Sequence, residues 1–90
     1  MINIFVAITV APENRPEIMK LLEELTQASQ KEKGNHRYQY YLHPTDRTQL
    51  IISEKWENAE VLDAHEASVH FKTLLPKIGD LAKSIDIQKF

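Results

Sequence analysis

Two histidines, a tryptophan and a phenylalanine carry most of the chemistry that this chain could do. Trp56 ends a predicted strand, and His65 lies on the apolar face of the helix predicted next. Ser68, His70 and Phe71 follow in a short turn. Histidine is the only side chain whose ordinary pKa, about 6.5, lies near neutrality, so His65 is a candidate general base or substrate hydrogen-bond partner. Burial would hold its ring neutral, which is the form that accepts a proton.

Each of these residues also has a purely structural interpretation. His65 fits a buried histidine that is bound to a backbone carbonyl, and His70 fits a residue at the start of a helical turn. Trp56 fits core packing, which is the usual use of tryptophan, as well as the wall of a pocket for a flat ring. The two interpretations of Trp56 are compatible if the core contains a pocket.

Three tyrosines lie close together in the predicted strand 38–42. Because side chains alternate along a strand, Tyr38 and Tyr40 share one face and Tyr41 points the other way. Tyr38 and Tyr40 could hydrogen-bond a substrate oxygen, or they could line a dimer interface, where tyrosine is common.

The sequence offers little for a metal or a cofactor. His65 and His70 are five positions apart, whereas two histidines on one helical face are four apart, and no third ligand has a matching spacing. The chain has no cysteine, which excludes disulfides and thiolate metal sites, and its two glycines exclude a glycine-rich phosphate loop. We therefore predict no metal and no cofactor.

Composition narrows the class of protein further. The 90 residues form at most one domain, and the net charge of −2 is spread over mixed signs. No basic face for nucleic acid and no polybasic run for a membrane is present. The apolar stretch 1–11 is too short to span a bilayer. Absence of cysteine fits a reducing compartment, so we predict a cytoplasmic protein without nucleic-acid or membrane partners.

Hydrophobic periodicity predicts the order of elements. Strands are expected at 2–10, 38–42, 50–56 and 85–90, and helices at 15–33, after Asn58, and around Pro76. This order predicts an α+β fold of the ferredoxin-like βαββαβ type, with a four-stranded antiparallel sheet and helices on one face. The first strand is apolar on both faces, so we predict that a second copy covers the free face and forms a homodimer through the sheet.

Three stretches resemble one known family, and the similarity in element order covers nearly the whole chain. They are Glu32 to Tyr38, Glu54 to Trp56, and Ala64 to Phe71. The chain resembles the antibiotic biosynthesis monooxygenase family of small dimeric α+β barrels. The resemblance implies a single domain of this type over 1–90. It also implies oxidation of a quinol-like or anthrone-like aromatic compound by molecular oxygen without flavin, heme or metal.

The resemblance also implies roles for individual residues. His65 would be the catalytic base or the group that orients the substrate. The substrate would be contacted by Trp56, Tyr38, Tyr40, Asn35, Arg37, His70 and Phe71. The partners would be a small aromatic substrate, molecular oxygen and a second copy of the chain.

Departures from the family pattern limit what can be transferred. Val6 and Leu75 stand where heme-degrading members have an asparagine and a histidine ligand, and Ile52 stands where anthrone oxygenases have an asparagine. The stretch from Gly34 to Tyr38 also resembles that of an isomerase of a small phosphorylated carbonyl compound (in autoinducer-2 catabolism), with Arg37 as the phosphate contact. A non-catalytic dimeric ligand-binding module is the third alternative, because fold does not fix function.

Overall fold

The chain folds as strand, helix, strand, strand, helix, helix and strand in a computed structural model that describes residues 1–90. The elements are β1 (Ile2–Thr9), α1 (Arg15–Gln30), β2 (Asn35–Leu42), β3 (Gln49–Trp56), α2 (Ala59–Glu66), α3 (Val69–Leu81) and β4 (Ser84–Lys89). The strands pair in the order β2-β3-β1-β4, and all three pairings are antiparallel. This confirms the predicted ferredoxin-like α+β fold.

Side-chain alternation gives the sheet two different faces. The helix-covered face carries the core, which includes Val6, Ile52 and Trp56. On the outer face, Phe5 and Ala7 of β1 are half-buried, and Ala7 pairs with Ile51 of β3. No helix is long and apolar enough to cross a membrane.

The first helix differs from its prediction at its C-terminal end. It ends at Gln30, before the predicted residue 33, because a turn precedes Gly34. Asn14 stands at the N-cap position, but its side chain makes no capping hydrogen bond. Its Nδ2 atom instead donates to the Leu81 carbonyl at 3.2 Å, which joins the start of α1 to the end of α3.

The second helical region is divided into two helices by their own caps. The Asn58 side chain accepts from the Val61 backbone N–H, and the Ser68 hydroxyl accepts from the Phe71 N–H. Pro76 lies inside α3 and does not start a helix of its own. The carbonyl that its missing N–H leaves free belongs to the exposed Lys72, where water can satisfy it.

Gly34, in the turn between α1 and β2, lies closely against helix α2. Its φ is +81°, in the left-handed region that favours glycine. A Cβ built there would lie 2.6 Å from Cγ1 of Val61 on α2. Because Val61 and His65 are one helical turn apart, this contact holds Glu32, two residues before Gly34, beside His65.

Replacing Gly34 by alanine is expected to destabilise the protein by roughly 2 kcal/mol, from left-handed strain and overpacking together. Urea unfolding measures this change. Gly79→Ala is the matched control, because its Cβ would meet only Ile85 Cδ1 at 3.9 Å. In a helix interior that alanine should stabilise by up to about 1 kcal/mol. Equal effects of the two substitutions would contradict the close approach at Gly34.

Candidate active site

His65 lies in an aromatic cage under the sheet, and the residue is only 1% exposed. Its ring stacks on Trp56 with centroids 4.5 Å apart and an interplanar angle of 33°. The Phe71 ring meets it edge-on at 5.1 Å, and the Tyr38 ring is 5.6 Å away. These three contacts fix the plane of the imidazole.

Glu32 fixes which nitrogen of His65 carries the proton. His65 Nδ1 is 2.8 Å from Glu32 Oε1, although the residues are 33 positions apart. A carboxylate only accepts, so the neutral ring places its proton on Nδ1 and donates it to Glu32. Nε2 then has a free lone pair, and no group of the protein is hydrogen-bonded to it. This is the arrangement that general bases of the histidine-carboxylate type use.

The surroundings keep His65 neutral near pH 7. Burial lowers its pKa below the ordinary value of 6.5, and the hydrogen bond to Glu32 offsets part of this effect. A neutral imidazole with Nε2 unprotonated can take a proton from a weak acid.

His70 contacts the same carboxylate oxygen from the other side. Its Nε2 atom is within hydrogen-bond distance of Glu32 Oε1. A spacing of four positions applies to two histidines on one continuous helix, whereas His65 and His70 lie on different helices. Helix α2 ends before Ala67, and α3 begins after Ser68 in a new direction. His70 therefore lies in the first turn of α3, where its side chain reaches Glu32. Glu32 Oε1, His65 Nδ1 and His70 Nε2 lie within 4.8 Å of one another, a set that could hold a metal ion.

A largely apolar pocket opens beside His65, with about 420 Å³ of free space, part of it open to solvent. Its apolar lining is Ile4, Val6, Ile52, Leu62, Phe71, Leu75 and Ile87, and its polar lining is Tyr38, Glu54, His65 and Glu66. Ile87 is 54% exposed and marks the mouth. The cavity proper measures only about 50 Å³, so a flat aromatic ring would occupy the part of this space that opens to solvent.

Glu54 is a second titratable group of this pocket. It is 5% exposed, and its Oε1 accepts from Trp56 Nε1 at 2.9 Å. Burial raises its pKa to about 7, although the Trp56 hydrogen bond opposes the rise. The pocket therefore contains a carboxyl whose pKa is raised to about 7 and a histidine whose pKa is lowered below 6.5.

The structure brings five of the eight predicted site residues together. Tyr38, His65 and Phe71 line the pocket. Trp56 lies behind His65, fully buried, and does not line the pocket. His70 lies beside Glu32.

The other three predicted residues do not line this pocket. Tyr40 shares the inner face with Tyr38, as predicted, but its hydroxyl donates to Glu23 on α1 at 2.6 Å. Arg37 points to the outer face, where its Nε donates to the Ser53 hydroxyl at 3.0 Å. Asn35 donates to the Arg37 carbonyl at a strand irregularity. Strand alternation explains Arg37, because neighbours of the inward Tyr38 point outward.

Sequence reasoning assigned no role to Glu32 or Glu54. A signal for Glu54 was present, because strand periodicity places it on the same face as the buried Ile52 and Trp56. Glu32 stands in the motif before Gly34, and its contact with His65 is a tertiary one, made where Gly34 approaches Val61 of α2.

The chain is similar to proteins of one family in both sequence and structure. The model of the family described as antibiotic biosynthesis monooxygenase matches residues 1–77. A Bacillus subtilis protein named "Putative monooxygenase YcnE" is 29% identical over 90% of this chain and 85% of its own length.

Two solved structures share both fold and sequence with the chain. A Bacteroides thetaiotaomicron protein, described as of unknown function and a "possible oxidoreductase", has a TM-score of 0.94 and 37% identity, over 99% of this chain and 94% of its own. A conserved protein from Methanosarcina mazei has a TM-score of 0.93 and 29% identity, over 99% and 89%. These names and the family support a monooxygenase-like function. With its family model matched over most of its length, the chain belongs to the antibiotic biosynthesis monooxygenase family.

Proposed function

We propose that the protein is a cofactor-independent monooxygenase that oxidises a small quinol-like aromatic compound with molecular oxygen. One observation carries the proposal: His65, whose Nδ1 atom is held by Glu32 and whose Nε2 atom has no hydrogen-bond partner in the protein, lines an apolar pocket. This is the equipment needed to remove a phenolic proton in a site that excludes bulk water.

The chemistry needs no other electron source, because the substrate itself is the reductant. His65 takes one phenolic proton, and the resulting anion, richer in electrons, reduces oxygen by one electron. The radical pair joins at a ring carbon to give a hydroperoxide, whose O–O bond then breaks. One oxygen atom stays on the ring and the other leaves as water, so a hydroquinone and O₂ yield a hydroxyquinone and H₂O. A phenol has a pKa of about 10, and the neutral imidazole of His65, whose pKa is lowered by burial, accepts its proton as a general base in the transition state.

Two polar groups on the pocket wall complete the arrangement. Burial, followed by the negative charge of Glu54, raises the pKa of Tyr38 well above its ordinary value of 10. Its hydroxyl therefore stays protonated and can donate to a substrate or peroxide oxygen. Glu54, with a pKa of about 7, can return a proton when the O–O bond breaks.

The remaining pocket residues favour a quinol over heme or an anthrone. Val6 and Leu75, which replace the asparagine and histidine of heme-degrading relatives, both line the pocket as apolar side chains. Ile52, which replaces the asparagine of anthrone oxygenases, lines it as well. The polar contacts left for a substrate are His65, Tyr38 and Glu54 on the sheet and helix walls, with Glu66 at the rim.

No observation favours the isomerase alternative in the same way. Its phosphate contact would be Arg37, whose guanidinium is bound to Ser53 on the outer face of the sheet, away from His65. A non-catalytic binding module would need the same pocket but no oxygen.

Oxygen uptake by tag-free, metal-free protein against a panel of hydroquinones and anthrones tests the proposal. We expect uptake above autoxidation with at least one hydroquinone, and a product that has gained one oxygen atom and lost two hydrogen atoms, with the new oxygen labelled when ¹⁸O₂ is used. Ligand-induced thermal stabilisation without uptake across the panel would point to a binding module instead.

The proposal includes a homodimer through the outer face of the sheet. Phe5, Ala7 and Ile51 lie on this face at the middle of the sheet, next to the 49% exposed Tyr41. A small domain with a half-exposed apolar sheet face gains by burying it against a second copy. We expect sedimentation of a dimer at micromolar concentration and of a monomer for Ile51→Glu. Val69→Glu, at an 81% exposed site on α3, is the control that should stay dimeric.

A further inference from the structure

We propose that Glu32, His65 and His70 also form a binding site for a divalent transition-metal ion such as Zn²⁺, and that an ion held there switches the active site off. Two imidazoles and one carboxylate are the ligand types that Zn²⁺ takes in three-ligand sites, which leave a fourth position for water. The binding part stands on geometry alone, whereas the switching part rests on the proposed function.

Geometry brings the three ligand atoms nearly to coordination distance without an ion. Glu32 Oε1, His65 Nδ1 and His70 Nε2 all lie within 4.8 Å of one another. Zinc bonds to nitrogen and oxygen are about 2.0–2.2 Å long and tetrahedral, so two ligands of one ion lie roughly 3.3–3.6 Å apart. Glu32 Oε1 and His65 Nδ1, now 2.8 Å apart, would have to separate slightly, and the more distant atoms would have to come closer. Shifts of less than about 1 Å therefore suffice to place an ion between them.

The three ligands differ in how freely they can make this shift. His65 is held by Trp56, Phe71 and Tyr38 and serves as the fixed ligand. The Glu32 side chain is 17% exposed and that of His70 is 24% exposed. An ion can therefore arrive from solvent on the side of Glu32 and His70, away from the substrate pocket that His65 faces.

An ion at this place changes the chemistry of His65 through its tautomer. Coordination needs the lone pair of Nδ1, so the single proton of the neutral ring moves to Nε2. Nε2 then points a donor into the pocket where the proposed mechanism needs an acceptor. The site loses its general base although the pocket keeps its shape.

Binding is tested first with Co²⁺, whose visible absorption reports its ligands, and with Zn²⁺ in competition against a chelating dye. We expect one ion per chain. Removing one ligand, in His70→Ala or Glu32→Gln, should weaken binding by more than about 10- to 100-fold, since second-shell changes alone cost that much. His36→Ala is the control, because His36 also lies near a carboxylate, 3.8 Å from Glu57, but has no second histidine.

The switching part is tested by oxygen uptake, with each variant compared with its own metal-free rate. Zn²⁺ should abolish uptake by the wild-type protein at the concentration that fills the site, and EDTA should restore it. In His70→Ala the inhibition should move to at least tenfold more Zn²⁺. Absence of binding, or binding that survives both ligand substitutions, overturns the site; full activity with the ion bound overturns the switch. Co²⁺ binding does not depend on turnover, so failure of the proposed reaction would be seen separately.

Discussion

Replacing His65 by alanine is expected to lower quinol-dependent oxygen uptake by about 10²- to 10⁴-fold, the usual contribution of a positioned general base. The loss should appear in kcat, because the side chain acts on the proton transferred in the reaction and not on the bulk of the aromatic ring. Initial oxygen-electrode rates over a range of substrate concentrations separate kcat from KM.

Loss of activity in this variant has meaning only if the fold survives. His65 is fully enclosed by Trp56 and Phe71, so the alanine leaves a cavity that can destabilise the core. Two further experiments separate loss of the base from loss of the fold. His65→Asn keeps a polar group of smaller size for Glu32, and added imidazole can enter the space left by alanine from the neighbouring pocket. A folded alanine variant with wild-type uptake would sink the role assigned to His65, whereas recovery with imidazole would support it.

Glu32 should behave as a positioning residue in the same assay. Glu32→Gln keeps an oxygen acceptor for Nδ1 but removes the negative charge that raises the pKa of His65. The pH at which activity half-disappears on the acid side should therefore move down, a readout that a merely structural role would not change.

The fold was predictable because local signals agreed with one another. Alternation in β1, the glycine stop after α1 and the Asn58 cap each marked an element that the structure contains. The sequence pattern was least informative at Pro76, because helix α3 continues through this proline, which lies on the exposed side of the helix. There the cost of one missing hydrogen bond is met by water, which a sequence pattern does not reveal.

The site was less predictable because its groups meet through tertiary contacts. His65 and Phe71 could be found from a helical stripe and a cap, whereas Glu32 depends on how closely Gly34 approaches Val61. Arg37 and Tyr40 were predicted as substrate contacts from the family resemblance, but hydrogen bonds to their neighbours direct their side chains elsewhere. Ser53 holds Arg37 on the outer face of the sheet, and Glu23 holds Tyr40 against α1.

Glu54 leads to the second large expectation, which concerns stability. Its pKa in the folded protein is about 7, above the ordinary value of 4.5. Folding therefore favours the protonated form of Glu54. The stability of the protein relative to its ionised form is fully present below about pH 4.5 and is lost as the pH rises through 7. A pKa difference of about 2.5 corresponds to a loss of about 3 kcal/mol once the carboxyl is ionised.

Glu54→Gln should remove this pH dependence. Glutamine keeps an oxygen that can accept from Trp56 Nε1 and carries no charge at any pH. We expect a variant close to the wild type at pH 5 but more stable than it by about 2–3 kcal/mol at pH 8.5, as measured by urea unfolding at equal protein concentration. The difference arises because burial penalises only the ionised form.

A surface glutamate provides the comparison that isolates burial. Glu24 lies exposed on α1, so Glu24→Gln makes the same chemical change without desolvation. Its free energy of unfolding should stay within about 0.5 kcal/mol of the wild-type value at each pH between 5 and 8.5. If the free energy of unfolding of both variants changed with pH in the same way, the buried Glu54 beside Trp56 would not be the source of the pH dependence. If only Glu54→Gln flattened the pH dependence of the free energy of unfolding, the pocket would be established as holding a buried carboxyl that is protonated below neutrality.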